Sequence, residues 1–211
     1  MAKFFLVRHG QTAWNKDERF RGRKDIPLSD PGRKEGKAIA DALAKEGITR
    51  LYASPLIRAT QTLSPLAARL RIEVVPFPDL IDMNFGQWEG MSLAEAKKSA
   101  PELYREWEEH PQNVTFPGGE DLDQVQARAM RSISRLAVEF PAETIAVCSH
   151  RVVCKLIMLG LLGFKPDRFW FIRQDTACIN RFDYDPPNSK IISLNETFHL
   201  LSLGGTLKAD F

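Results

Sequence analysis

Two histidines of this chain follow apolar runs that ought to end in a turn. "KFFLV" (residues 3–7) leads through Arg8 into His9, and "TIAVCS" (residues 144–149) leads into His150. Short apolar runs of this kind read as buried strands, which usually hand over to Gly, Asn, Asp or Pro. A third run, Tyr52 to Ser54, opens into "SPLIRATQT" and places Arg58 about one turn into a helix. Imidazoles and guanidinium groups at strand ends suit a phosphate. The planar arginine fork matches two phosphate oxygens and stays charged at any working pH. No glycine-rich loop of the nucleoside triphosphate or dinucleotide type is present, so the substrate implied is a phosphomonoester. A single histidine is more often structural, which is the reading for His110 and His199, and a single arginine is as readily half of a salt bridge. The shared placement of His9 and His150 points to a site.

The elements that must position these groups alternate. The first strand is followed by "LSDPGRKEGKAIADALAKEG", a helix with Ser29 as N-cap, Pro31 in its first turn and Gly47 as its stop. "ITRLYAS" is a strand, Pro55 opens a helix running to about Leu70, and "RIEVVPF" is a strand again. Strand–helix alternation predicts a three-layer α/β/α sandwich around a mostly parallel sheet. Ligands of such sheets bind beyond the carboxyl ends of the strands, where the strand order reverses. If the strands before His9 and His150 are neighbours, their imidazoles face each other there. Residues 79–119 break the alternation and read as a helical insertion over the active-site edge, within a single domain spanning 1–211. A long helix follows "FPGGED", where Gly118 and Gly119 make the break and Glu120 and Asp121 favour the positive end of its dipole. The strand before His150, a helix and two antiparallel strands around Pro-Pro-Asn complete the pattern. "SLGGTLKADF" carries none.

The totals fit an ordinary soluble globular protein: 211 residues, 44% hydrophobic, 27% charged, with a net charge of +2. That charge is too small to suggest nucleic acid as a partner. The local basic run "KDERFRGRK" (residues 16–24) reads either as a solvated loop or as a funnel for an anion. The longest apolar stretch, Leu156 to Phe164, is too short to span a membrane, and a strand beginning at residue 3 leaves no room for a signal peptide. Three cysteines without a C-x-x-C pair argue against a disulfide framework and a thiolate zinc site, so a cytoplasmic setting is expected.

In order, "LVRHGQTAWN", "DIPLSDPG", "YASPLIRATQT", "FGQWEG" and "VCSHRVV" closely resemble the histidine phosphatase superfamily, in the branch of cofactor-dependent phosphoglycerate mutases and their phosphatase relatives. The resemblance implies that His9 is the nucleophile that becomes a phosphohistidine. It implies that Arg8, Arg58 and His150 hold the phosphate oxygens, that Asn15 lies near the same pocket, and that Gly22 contacts it through the backbone. Charge neutralisation by fixed cations agrees with these roles, and neither a metal nor another cofactor is expected. Gly10 would let the backbone turn close to the phosphate. The family usually has a glutamate as proton donor. Here "LIDMNFGQWEG" puts Asp82 in its place, one methylene or about 1.5 Å shorter, with Glu89 as the alternative.

The chain lacks the longer basic insertion of the mutases, and "FPGGEDLDQVQARA" resembles the phosphatase relatives. The expected activity is therefore metal-independent hydrolysis of small phosphorylated metabolites. The alternatives are a phosphoglycerate mutase and a non-catalytic phosphate-binding module. Substrate selectivity is assigned to Arg21, Phe85, Trp107 and Phe116. The C-terminal strands would offer an edge for a homodimer, which the sequence does not decide.

Overall fold

The computed structural model describes residues 1–204; the end of the patternless tail, residues 205–211, lies outside them. Among the described residues six strands form one sheet: β1 (Ala2–Arg8), β2 (Arg50–Ala53), β3 (Val74–Pro76), β4 (Thr144–Ser149), β5 (Ile179–Asp185) and β6 (Asn188–Glu196). Their spatial order is β3-β2-β4-β1-β5-β6. The first four are parallel, β5 runs antiparallel to β1, and β6 antiparallel to β5. The mostly parallel sheet expected from the alternation is present, with an antiparallel edge.

The unbroken apolar character of β1 follows from its position. A central strand is covered on both faces, so it shows no polar alternation. Phe4 and Leu6 enter one core and Phe5 and Val7 the other. Helices α2 (Asp30–Leu43) and α3 (Ile57–Leu70) cover the Phe5 face. Helices α6 (Leu122–Glu139) and α7 (Arg151–Leu161) cover the Phe4 face. Ser29 caps α2 as expected, accepting from the Gly32 amide, but the helix ends at Leu43, short of Gly47. The loop after β1 contains one short turn, α1 (Ala13–Lys16), that its polar sequence did not disclose.

Helices α4 (Leu93–Ser99) and α5 (Pro101–Glu109) lie in the segment read as an insertion. Its apolar side chains, among them Met83, Phe85, Trp88, Trp107 and Phe116, join the same core as α6 and α7. Phe85, Trp88 and Trp107 each meet the Phe116 ring at centroid distances of 5.0–5.2 Å. No helix among the described residues is long and apolar enough to cross a membrane.

Phe182 of β5 stacks on Phe4 of β1 at 5.0 Å, with both rings buried. Phe182→Ala is therefore expected to cost about 3–5 kcal/mol of unfolding free energy in urea denaturation. A loss below about 1 kcal/mol would contradict this packing.

Candidate active site

Strands β1 and β4 are neighbours in register, Arg8 opposite Ser149, and the His9 amide donates to the Ser149 carbonyl at 2.9 Å. Beyond that point the chain after β1 goes to the α2 face, while the chain after β4 enters α7 on the opposite face. This divergence opens the crevice that such sheets use for ligands. His9 and His150 sit at its floor, ring centroids 5.2 Å apart, both fully buried.

Hydrogen bonds fix both imidazoles. A carbonyl can only accept, so His9 Nδ1 carries the proton and donates to the Gly10 carbonyl at 2.7 Å. His9 Nε2 keeps its lone pair and has no hydrogen-bond partner among the described residues. In His150 the tautomer is reversed: Arg58 Nε donates to Nδ1 at 3.2 Å, so Nε2 carries the proton towards Ser54 Oγ at 2.7 Å. Burial, reinforced by Arg58, Arg8 and Arg21, holds His9 well below the ordinary value of 6.5. Burial and Arg58 do the same for His150. Asp82 Oδ2 lies 3.6 Å from His150 Nδ1, an ion-pair distance, yet the imidazole is neutral and this is no ion pair.

Each arginine is aimed by backbone carbonyls. Arg8 Nη1 donates to the Gln174 carbonyl at 2.6 Å. Arg58 donates from Nη1 to the Lys24 carbonyl, from Nη2 to the Gly22 carbonyl at 2.8 Å, and from Nη2 to Asp82 Oδ2 at 3.1 Å. Burial pulls Arg58 below the usual guanidinium value, and Asp82 opposes that pull. Asp82 also accepts from the Met83 amide. Its backbone is held by Arg128, which donates to the carbonyls of Asp79, Ile81 and Asp82 while paired with Glu120.

The structure brings Arg8, His9, Arg58, Asp82 and His150 together. Arg58 sits in the first turn of α3, somewhat earlier than expected. Gly22 adopts φ +50 and touches the cluster through its carbonyl on Arg58. A side chain there would collide with the Glu89 carboxylate, which accepts from the Arg23 amide and so holds the loop. Gly10 also packs closely on α2. A Cβ on it would come within 2.8 Å of the Gly32 carbonyl, so close packing on α2 demands the glycine. Asn15 Oδ1 accepts from Thr12 and forms the cap of α1. Arg21 and Phe85 line a small cleft with Asp82, whereas Trp107 and Phe116 are buried in the core. A wider groove lined by Phe77, Met130, Arg135 and Tyr184 contains neither histidine.

Several supporting groups escaped the sequence reading: Ser54, Gln174, Arg128 and the amide pair Gln174–Asn180, which exchanges bonds of 2.7 and 2.8 Å beneath β1. Their signal was weak. Ser54 and Gln174 lie in loops, Arg128 in a helix and Asn180 in β5, and a polar residue in a loop or on a helix is by default solvated.

A family model described as the histidine phosphatase superfamily, branch 1, matches residues 4–197. Phosphoserine phosphatase 1 of Hydrogenobacter thermophilus is 33% identical over 200 residues, covering 95% of each chain. The solved structure of Bacillus stearothermophilus YhfR superposes with a TM-score of 0.90 at 23% identity, over 95% of this chain and all of that one. A phosphoserine phosphatase variant from Entamoeba histolytica, solved with phosphoserine, gives 0.85 at 25% identity, over 95% of this chain and all of that one. The chain belongs to the histidine phosphatase superfamily.

The opposed tautomers are directly measurable. Nitrogen-15 imidazole spectra should show His9 as the Nδ1–H form and His150 as the Nε2–H form from about pH 8 down to 6.5. An imidazolium signal from either ring in that range would contradict the buried, cation-flanked geometry.

Proposed function

We propose that His9 Nε2 takes the phosphoryl group from a small phosphomonoester and passes it to water, without a metal ion. The observation that carries this reading is the His9 Nδ1–Gly10 hydrogen bond, which turns the lone pair of Nε2 into a crevice flanked by two buried arginines. In the first step the Nε2 lone pair forms a bond to phosphorus as the phosphorus–oxygen ester bond breaks. Arg8 and Arg58 neutralise the equatorial oxygens, and His150 lies beside them. A phosphate monoanion brings a proton with it, which the Asp82 carboxylate takes up and passes to the leaving oxygen. In the second step the Asp82 carboxylate takes a proton from water, the water oxygen bonds to phosphorus, and the nitrogen–phosphorus bond breaks.

Asp82 is favoured over Glu89 as the proton carrier because its carboxylate lies in the crevice beside Arg58 and His150, while that of Glu89 holds the loop. Asn15, Gly22 and Arg21 serve substrate binding indirectly, Asn15 and Gly22 by shaping the loop and Arg21 by lining the cleft. Residues 79–119 act as a cover within one functional unit, a role supported by their share of the core. Burial of all three thiols, which pushes each of them up, supports a reducing, cytoplasmic setting. Exposed Ile192 and Leu194 on β6 support a homodimer through that edge.

The test is hydrolysis of p-nitrophenyl phosphate in excess EDTA. Wild type is expected to turn over, and His9→Ala to lose at least about a thousandfold in kcat. Asp82→Asn should lose about a hundredfold or more on an alkyl phosphate and less on the nitrophenyl ester, whose leaving group needs no proton. Activity that vanishes in EDTA, or survives in His9→Ala, would overturn the reading.

A further inference from the structure

Asn180 lies in β5 opposite Leu6 of β1, fully buried at a central strand position where a β-branched residue is the ordinary choice. Its partner Gln174 is 3% exposed. We infer that Asn180 and Gln174 are positioning residues for catalysis: as an interlocked amide pair they hold residues 174–178 so that this loop aims the Arg8 guanidinium at the phosphate. This inference rests on the phosphatase reading above and adds to it two residues that act on the reaction through Arg8.

The hydrogen bonds leave the pair a single arrangement. Asn180 Nδ2 donates to the Leu6 carbonyl at 3.1 Å, and its Oδ1 accepts from the Asn195 amide at 2.9 Å. A carbonyl can only accept and a backbone N–H only donate, so the Asn180 side chain cannot be turned over. Gln174 fits it reciprocally, Nε2 donating to Asn180 Oδ1 at 2.7 Å and Oε1 accepting from Asn180 Nδ2 at 2.8 Å. Both donors and both lone pairs of the Asn180 amide are thereby used. Asn195 adds a second clasp to the same loop. Its Oδ1 accepts from the Asp175 amide at 2.7 Å, and its Nδ2 donates to the Asp175 carboxylate at 2.8 Å.

The loop held in this way grips the reacting turn. The Gln174 carbonyl accepts from Arg8 Nη1 at 2.6 Å, and the Cys178 carbonyl accepts from the Arg8 amide at 3.1 Å. The Ala177 amide donates to the His9 carbonyl at 3.2 Å. Arg8 and His9 are thus fixed from one segment, at side chain and main chain. Within it Ala177 is held at φ +56, a left-handed conformation that costs a non-glycine residue about 1 kcal/mol or more. Such a conformation persists where its surroundings over-determine it, and the amide network does so here. Stability alone would favour an apolar side chain at position 180, because a buried amide contributes little net even when fully bonded. Aiming Arg8 gives the buried amides a purpose that packing does not.

Gln174→Met keeps the loop's carbonyl and removes the side-chain amide, while Asn180→Asp keeps the size and replaces two donors with an acceptor. Each is expected to lower kcat/KM on p-nitrophenyl phosphate about tenfold. In an Arg8→Lys background the same substitutions should lower it less than about twofold, because their effect runs through the guanidinium. Nitrogen-15 spectra add a readout that needs no turnover: the two Arg8 Nη signals should be resolved in wild type and merge in both variants. Wild-type rates in both variants, an equal loss in both backgrounds, or Arg8 signals that neither substitution alters overturn the positioning role. If one variant fails to fold, the other decides; if both fail, the pair is structural and the role falls. If wild type hydrolyses nothing, the phosphatase reading falls, and the same cycle is read as calorimetric binding of inorganic phosphate. Binding about tenfold weaker in each variant, and unchanged by them in the Arg8→Lys background, then supports the role; equal binding throughout overturns it.

Discussion

Arg8, His9, Arg58 and His150 are packed at one sheet edge with no solvent exposure, two guanidinium ions beside two imidazoles. Burying an ion costs several kcal/mol even after relaxation, and gathering ions of one sign multiplies that cost. The architecture around the crevice can be understood as compensation. Carbonyls of Gln174, Gly22 and Lys24 meet the guanidinium groups, Asp82 supplies an opposing charge, and both imidazoles stay neutral. A phosphate dianion entering this edge would meet cations already desolvated and aimed, with little reorganisation left to perform.

The same constraint explains the ties between elements. Thr62 of α3 donates to the Arg58 carbonyl and accepts from the Gly10 amide, linking the helix that carries one arginine to the turn that fixes His9. Ser149 donates to the Leu80 carbonyl, and Arg128 gathers the carbonyls of the next turn, so β4 and α6 jointly place Asp82. The Asp82 side chain is thus carried on a braced turn, and the proton transfer proposed for it tolerates positional scatter poorly.

Much of this was legible in the sequence because strong local signals coincided. Apolar runs interrupted by Arg8-His9 and by His150 marked both strand ends, and helical periodicity placed Arg58. Other features depended on tertiary contacts. Gln174 matters through its carbonyl, which every residue possesses, so its type carried no signal. Gly10 also meets a requirement the sequence did not disclose, the close approach of α2, which the fold brings alongside. Trp107 and Phe116 resembled pocket residues but fill the core behind Phe85, because an aromatic cluster is needed to seat residues 79–119 on the sheet.

The central claim is that the Gly10 carbonyl commits His9 to attack through Nε2. The most direct test is to quench the enzyme during turnover, digest it under alkaline conditions and locate the phosphoryl group by mass spectrometry and phosphorus NMR. The account predicts a base-stable, acid-labile phosphoramidate on Nε2 of His9. A phosphoryl group on Nδ1, on another residue, or on none under conditions that trap the intermediate would contradict it.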